Sequence, residues 1–296
     1  MRIAVNVNGR LSDDGQATIS VFDHGFLYGE GVYETLRTYD RRPFLLDRHL
    51  NRLRASAAAI GLAVPLDDAA FAARIDATMA AVDVAEPPER YIRLVLTRGV
   101  GDLSYDPGSC PRPSLVIIVR PHREVAPVVQ ARGVAVVVSS RLRNHPDALS
   151  PRIKSNNLLN NALAMQEALR AGADEALMCN YRGEIAECAQ SNVFLVRGGE
   201  ALTPPLATGL LEGVTRNLLF EIGPEIGVAV RERTLRLEEI DTADEIFITS
   251  TTREVLPVTT LDGRPVGSGA PGPVTRALAE AFRRRARRCS PLDTGQ

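Results

Sequence analysis

Segments with the pattern of strands are mixed irregularly with segments that have the pattern of helices, and this mixture limits the folds open to the chain. Short runs rich in β-branched and apolar residues predict strands, and apolar residues at helical spacing predict helices. A doubly wound parallel sheet requires a regular βαβ alternation, which the order of these segments lacks. The sequence therefore predicts an α+β fold.

Individual elements follow from their end signals. Asn8 and Gly9 predict a hairpin turn, Asp47 and Ser155 predict helix N-caps, and Gly172 predicts a helix end. The predicted strands are 3–7, 18–22, 91–97, 114–120, 133–140, 175–179, 192–196, 228–231 and 245–250. The predicted helices are 47–61, 67–82, 155–172, 213–222 and 273–288.

The length predicts two domains. The chain has 296 residues, and one domain typically has about 150. Two prolines flank polar residues at 121–127, directly after a predicted strand, and this is the best boundary. We expect a small N-terminal domain at 1–121, a linker at 122–133 and a large C-terminal domain at 134–296.

Charge and composition argue against several classes of protein. The 35 basic residues nearly balance the 36 acidic ones, and Trp is absent, so a nucleic-acid partner is not expected. No apolar run reaches the roughly 20 residues that span a bilayer, so no membrane partner is expected. The four cysteines lack zinc-like spacing and the density of a disulfide scaffold, so we expect no metal site and a reducing cytoplasm.

One lysine, Lys154, stands against 34 arginines among the 35 basic residues. The arginine bias by itself is an ordinary effect of genome composition, and a single surviving lysine can be chance. The alternative is that position 154 requires chemistry that arginine cannot perform. A guanidinium remains protonated, whereas an ammonium can lose its proton and attack a carbonyl. Lys154 is therefore a candidate Schiff-base residue.

The glycine-rich segment 28–31 is not a nucleotide site, because it lacks the third glycine of a dinucleotide loop and is followed by a strand.

Three other segments supply chemistry that would complement this lysine. Glu187 precedes a strand, residues 209–216 (GLLEGVTR) begin a helix, and residues 249–257 (TSTTREVLP) supply hydroxyls and turn amides. An amine, a carboxylate and a phosphate-binding helix start are the parts needed to bind pyridoxal phosphate.

Six motifs in this order resemble class IV pyridoxal-phosphate aminotransferases. They are DHGFLYGEGVYE, HLNRL, IKSNN, the stretch from Glu187 to SNVF, LLEGVTR and TSTTREVLPV. The family contains branched-chain aminotransferases, D-amino-acid aminotransferases and 4-amino-4-deoxychorismate lyases. The resemblance extends from about residue 3 to 282. It implies the two-domain fold of type IV enzymes (D-amino-acid aminotransferase-like), with pyridoxal 5'-phosphate bound between the domains.

The resemblance also implies roles for individual residues. Lys154 would form the Schiff base and then move the proton of the substrate Cα, and Glu187 would pair with the pyridine nitrogen. The other cofactor-binding residues would be Arg52, Val214, Thr215, Ser250 and Thr251. The substrate-binding residues would be Tyr28, Tyr91, Arg93, Thr251 and Thr252. The alternatives from the residues alone are a helix-surface arginine at 52, a solvated turn carboxylate at 187 and an ordinary cross-strand pair at 91 and 93.

Within the family, the pattern Tyr91-Ile92-Arg93 and the loop 98–107 favour a branched-chain L-amino-acid aminotransferase with 2-oxoglutarate as acceptor. Two departures mean that other members of the family remain alternatives. Position 159 is a leucine, where branched-chain enzymes usually have a tyrosine, and this segment is closer to the D-amino-acid enzymes. The D-amino-acid enzymes, however, often have an Arg-x-His carboxylate trap, and residues 103–105 here are Leu, Ser and Tyr. The alternatives are a D-amino-acid or (R)-amine aminotransferase, the lyase, and a non-catalytic cofactor-binding protein. A homodimer, or an oligomer of dimers, is expected.

Overall fold

A computed structural model of the protein describes residues 3–82 and 89–288. The chain divides into two compact units. The first unit comprises Met1–Arg123 together with Ile153–Asn157, and the second comprises Glu124–Arg152 and Leu158–Gln296. The short segment around Lys154 thus belongs to the first unit, about 30 residues beyond the boundary proposed from the sequence. The predicted domain limits remain a prediction.

The first unit is built on an antiparallel sheet of six strands in the order β2-β1-β6-β5-β3-β4. Its strands are β1 (Ala4–Val7), β2 (Arg10–Asp13), β3 (Gly31–Tyr39), β4 (Arg42–Pro43), β5 (Arg90–Thr97) and β6 (Ser114–Pro121). Its helices are α1 (His24–Leu27), α2 (Leu46–Ala59) and α3 (Asp68–Ala80), with a 3-10 turn at Pro107–Ser109. Apolar residues of α2 and α3 pack on one face of the sheet and form the core of this unit.

The first hairpin confirms one prediction and overturns another. Asn8 and Gly9 both have positive φ and connect β1 to β2, as a two-residue turn of this kind requires. The partner strand therefore starts at Arg10, and the predicted strand at 18–22 is wrong. Ile19, Val21 and Phe22 are instead exposed outside any strand. Strand propensity reflects how well a side chain packs on a half-buried β-sheet, and residues 18–22 do not join a sheet.

Two predicted N-caps are wrong. Helix α2 begins at Leu46 after Leu45, and Asp47 lies inside its first turn. Helix α5 (Leu159–Arg170) begins four residues after Ser155, whose Oγ accepts a hydrogen bond from the Asn157 amide at 3.3 Å. Acidic residues favour the first helical turn as well as the cap, and serine binds nearby amides outside helices. Residue type alone therefore did not fix either start.

The second unit is built on a sheet of nine strands, in the order β12-β11-β10-β13-β14-β7-β8-β9, with β15 paired to β14. Its strands are β7 (Val134–Val138), β8 (Glu175–Cys179), β9 (Ile185–Cys188), β10 (Asn192–Arg197), β11 (Glu200–Thr203), β12 (Val230–Glu232), β13 (Glu245–Ser250), β14 (Glu254–Leu261) and β15 (Arg264–Pro265). Its other helices are α4 (Pro127–Arg132), α6 (Val214–Glu225) and α7 (Pro273–Arg288), with 3-10 turns at Leu206–Thr208 and Leu237–Thr242.

Pairing within this second sheet is mixed. Strand β7 pairs in parallel with both β8 and β14, whereas β10, β13 and β14 form an antiparallel series. Two sheets with irregularly placed helices confirm the α+β prediction. Within the described ranges, none of the helices combines the length and the apolar character needed to cross a membrane.

Candidate active site

Lys154 is fixed through its backbone to two elements of the first unit. Its carbonyl accepts a hydrogen bond from the Tyr33 amide of β3 at 2.9 Å. Its amide donates to Ser56 Oγ of α2 at 3.1 Å. The flanking residues Ser155 and Asn156 continue the contact with β3, at Val32 and Gly31 respectively. The single lysine therefore extends from a segment bound to the edge of β3.

The Lys154 ammonium contacts a tyrosine that sequence reasoning did not single out. Lys154 Nζ lies 4.5 Å from the centre of the Tyr33 ring, and the Arg93 guanidinium carbon lies 4.2 Å from the same ring. Burial raises the pKa of Tyr33 above its usual value, although the positive charge of Arg93 opposes the shift. The predicted substrate residue Arg93 and the predicted catalytic lysine thus contact the same tyrosine ring.

Tyr91 lies two residues before Arg93 on the same face of β5. Its ring is covered by the guanidinium of Arg120, at 4.3 Å, from the adjacent strand β6. Tyr28 follows α1 and contacts the His24 ring at 4.9 Å and the Tyr105 ring at 5.0 Å. The structure therefore places Tyr91 near Arg93 on the sheet, and it places Tyr28 against the loop that contains Tyr105.

Arg52 belongs to a buried charge cluster and is not a surface arginine. Its Nε and Nη2 donate to the two carboxylate oxygens of Glu34 at 2.7 and 2.8 Å. His49 Nδ1 lies 2.7 Å from Glu34 Oε2. Burial alone would raise the pKa of Glu34, but the charge of Arg52 and the hydrogen bonds outweigh it and hold that pKa well below its usual range. Burial lowers the pKa of His49.

Glu187 is the centre of a hydrogen-bonded set in the second unit. Its Oε1 accepts from Arg143 Nε at 2.7 Å, and its Oε2 accepts from the Leu211 amide at 3.1 Å. Asn192 Nδ2 lies 3.4 Å from the same Oε2. The side chains of Glu187 and Arg143 are only 6% and 8% exposed. Glu187 is therefore a buried and paired carboxylate, which excludes a solvated turn residue.

The N-terminus of α6 lies next to this set. The residue before the helix is Gly213, and because it is a glycine it has no side chain that could cap the first amides. A Cβ at Gly213 would come within 2.0 Å of Asn192 Oδ1, so a side chain there would require Asn192 to move. Val214 and Thr215 follow as the first two helical residues, both buried. The donors of this first turn form an anion-binding end of the kind that binds phosphate groups.

Ser250, Thr251 and Thr252 lie at the end of β13 and in the turn that follows it. Thr249 of β13 pairs with Asn192 of β10, so the turn and the Glu187 set share one edge of the sheet. Ser250 Oγ accepts a hydrogen bond from the Arg253 amide at 3.2 Å. The second unit therefore joins the predicted carboxylate, the helix start and the hydroxyl-rich turn at one edge of its sheet.

Each unit has donors whose chemistry fits a part of pyridoxal phosphate. The amine of the first unit suits an aldehyde, and the second unit has a fixed carboxylate that suits a ring nitrogen and a glycine-started helix and hydroxyl turn that suit a phosphate. In the part of the chain that the structure describes, no group of three or more His, Cys, Asp or Glu could bind a metal ion. Sequence reasoning missed Tyr33, Glu34, His49, Arg143 and Asn192 as site residues. Tyr33, Glu34, His49 and Asn192 lie within quoted motifs, but Arg143 carries no local signal.

Comparison with known proteins identifies the family. The family model for class IV amino-transferases matches residues 31–261. A provisionally named branched-chain-amino-acid aminotransferase of Methanocaldococcus jannaschii is 38% identical, over 94% of this chain and 95% of its own length. The D-alanine aminotransferase of Bacillus licheniformis is 34% identical, over 93% and 94%. The aminodeoxychorismate lyase of Bacillus subtilis is 33% identical, over 95% and 94%.

Solved structures agree with this result. A branched-chain aminotransferase of Thermoproteus uzoniensis with norvaline has a TM-score of 0.87 at 32% identity, covering 97% of this chain and 96% of that one. The branched-chain amino acid aminotransferase of T.th. with pyridoxamine 5'-phosphate has a TM-score of 0.88 at 29% identity, covering 97% and 95%. The chain therefore belongs to the class IV aminotransferase family and has its type IV fold. It is a transaminating enzyme, and its relatives include three specificities at similar identity.

Proposed function

We propose that the protein transfers the amino group of branched-chain L-amino acids to 2-oxoglutarate, with pyridoxal 5'-phosphate as cofactor. The observation that carries the proposal is the environment of the sole lysine. Lys154 Nζ lies 4.5 Å from the Tyr33 ring, and Arg93 contacts the same ring from the next strand. The family and the relatives solved with the cofactor in its amine form support the choice of cofactor.

In this proposal Lys154 holds the cofactor covalently and moves the proton. The bound cofactor supplies a ring that accepts electrons and stabilises negative charge at the substrate Cα. Lys154 Nζ would hold the cofactor and, as a free amine, would carry the proton between the substrate Cα and the cofactor carbon that bore the aldehyde. A lysine suits this work because its ammonium can deprotonate within a protein, whereas arginine cannot. Its backbone contacts with Ser56 and Tyr33 fix the segment from which the amine extends.

Glu187 would bind the ring nitrogen and keep it protonated. Arg143, Leu211 and Asn192 already orient the carboxylate with donors at 2.7, 3.1 and 3.4 Å. A carboxylate held in this way would stabilise a protonated ring nitrogen by its negative charge. Arg52, Val214, Thr215, Ser250 and Thr251 would bind the phosphate through one guanidinium, helix amides and turn hydroxyls.

The substrate preference rests on the position of the group that binds the α-carboxylate. The turn Thr251-Thr252 and the Tyr91 hydroxyl would bind it on one side, and Arg93 with Tyr28 would meet the distal carboxylate of glutamate. On the other side, Leu103, Ser104 and Tyr105 provide no cation. Leu103 and Tyr105 have apolar groups there, which suit an apolar side chain. This distribution favours the L enantiomer of an apolar amino acid.

The test is the rate at which single amino acids convert the enzyme-bound cofactor to its amine form. L-leucine and L-valine are expected to react about ten- to hundredfold faster than D-alanine and D-glutamate, the effect of one charge-assisted hydrogen bond. The cofactor absorbance in a stopped-flow titration measures this, with 2-oxoglutarate added afterwards to restore the original band. Faster reaction with the D-amino acids would assign the protein to the D-amino-acid enzymes. No conversion by any amino acid would favour the lyase.

We further propose that the protein is a homodimer whose interface covers an apolar patch of the first unit. The patch, called here the loop patch, joins two neighbouring loops, since Asp23 bridges Val100 and the Gly101 amide donates to the Phe22 carbonyl at 3.2 Å. Its exposed members are Val21, Phe22, Phe26, Val100, Leu103 and Tyr105. Exposed apolar surface of this kind marks an interaction site, and Tyr28 contacts its edge at Tyr105.

Phe26→Asp is expected to produce monomers and to lower the transamination rate at least about tenfold, because a buried carboxylate opposes association. Sedimentation velocity at the assay concentration measures the oligomeric state. Leu169→Asp is the matched control, since Leu169 and Phe26 are each 65% exposed and Leu169 belongs to α5 of the second unit. A wild-type protein that is monomeric and fully active would overturn this proposal.

A further inference from the structure

The turn after β13 has a backbone that needs support from its surroundings. Ser250 pairs with Glu254, so Thr251, Thr252 and Arg253 form a three-residue connection between β13 and β14. Glu254 has a φ of 59°, which is the left-handed region and is costly for a residue with a side chain. Its carboxylate is paired with Arg283 of α7 at 2.8 Å. One end of the turn is thus fixed by an ion pair.

The same end of the turn is also held by Glu175, a carboxylate with no role in the proposed chemistry. Glu175 is the first residue of β8 and is completely buried. Its Oε2 forms an ion pair with the Arg253 guanidinium. Arg253 also donates its amide to Ser250 Oγ at 3.2 Å. Side chain and backbone of Arg253 therefore connect the turn to a buried charge on another strand.

Glu175 also binds the connection that follows Glu187. Ser191 Oγ donates to Glu175 Oε2 at 3.2 Å, and Ser191 belongs to the turn between β9 and β10. The next residue, Asn192, donates to Glu187 Oε2. One carboxylate thus contacts two turns, the one that contains Thr251 and Thr252 and the one between Glu187 and Asn192. A buried carboxylate that accepts from an arginine and a hydroxyl holds both donors in fixed directions.

We propose that Glu175 is a positioning residue, which acts through Arg253 and Ser191 to fix the Thr251-Thr252 turn for the substrate α-carboxylate. The inference rests on the proposed function, in which this turn binds that carboxylate. Turn amides bind an anion well only if they are already aligned, since alignment on binding costs entropy. The amino donor and the 2-oxo acid acceptor each have an α-carboxylate. A looser turn should therefore weaken the binding of both substrates in the same proportion.

The experiment compares Glu175→Gln and Arg253→Gln with the wild-type holoenzyme. We expect KM for the amino donor and KM for the 2-oxo acid to rise together by about ten- to hundredfold, which is the effect of losing one charge-assisted hydrogen bond. We expect kcat to change less than about threefold, because the contact is equally strong in the ground state and the transition state. Arg253→Lys, which keeps the charge, should recover most of the affinity. Glu239→Gln is the matched control, since it breaks pairs with Arg197 and Arg233 in the same unit.

A second measurement is independent of turnover. Hydrogen exchange of the Thr251, Thr252 and Arg253 amides should be faster in Glu175→Gln than in wild type, and unchanged in Glu239→Gln. Titration of the holoenzyme with 4-methylpentanoate, a carboxylate without an amino group, should show the same loss of affinity in the cofactor spectrum. Lower thermal stability with unchanged KM values and unchanged exchange of these amides would overturn the inference. If wild type reacts with no amino acid, the proposed function fails, and exchange and carboxylate binding still decide the role of Glu175.

Discussion

Lys154→Arg is expected to lower the transamination rate by about four orders of magnitude or more, because a guanidinium neither forms the covalent bond to the cofactor nor accepts the Cα proton. The visible absorbance of the covalently bound cofactor should be lost at the same time. Steady-state rates with L-leucine and 2-oxoglutarate and an absorbance spectrum of the purified variant measure both effects.

The fold is expected to survive this change. The contacts of Lys154 with Tyr33 and Ser56 are made by its backbone, and an arginine can keep a cation over the Tyr33 ring. Circular dichroism and thermal unfolding should therefore resemble those of wild type. A variant that is folded and retains more than about one per cent of the rate would contradict the role of Lys154, since loss of a covalent catalyst costs far more than that.

Glu187→Gln is expected to slow Cα deprotonation by several orders of magnitude while the protein still binds the cofactor. A neutral amide stabilises a protonated ring nitrogen poorly, and the buried Arg143 loses its counter-charge at 2.7 Å. Single-turnover rates with a saturating L-amino acid measure the effect, and loss of the deuterium label from Cα isolates the proton transfer.

Glu184→Gln provides the matched control for this variant. Glu184 lies three residues earlier and is paired with Arg182 at 2.8 Å, and its side chain is 12% exposed. Within the described part of the chain, the Glu184 carboxylate bonds to Asn180 and Arg182 and to none of the residues around Glu187. We expect its rates to match wild type. A Glu187→Gln enzyme within about tenfold of wild type would show that another group fills this role, since electrostatic stabilisers usually contribute more.

Several strands were predicted correctly from the sequence, since β5, β6, β8 and β13 lie within a residue of their predicted limits. Burial largely alternates along β5 and β6, which leaves little choice of face, whereas β8 and β13 are short apolar segments buried on both faces. The same reasoning failed for 18–22, whose apolar side chains belong to the exposed loop patch. Apolar residues therefore predicted strands correctly where these side chains pack in a hydrophobic core.

The site could be predicted only in part, because its contacts join residues far apart in the chain. The chemistry of amine and carboxylate identified Lys154 and Glu187 as candidates. The Glu187 contact with Arg143 spans 44 residues, and the Lys154 contact with Ser56 spans 98. No spacing rule covers such distances, so Arg143 could not be found. Arg52 was predicted without its partner Glu34, since a strand and a helix 18 residues apart have no fixed relation in sequence.

The central claim is that Lys154 carries the cofactor of a transaminating enzyme. Borohydride reduction of the holoenzyme, followed by peptide mapping, tests it most directly, because reduction makes the bond between the cofactor and its lysine permanent. We expect a single modified peptide containing Lys154, and its loss when the enzyme is first converted by L-leucine to the amine form. A cofactor label on any other residue, or no label on a protein that retains its visible absorbance, would contradict the account.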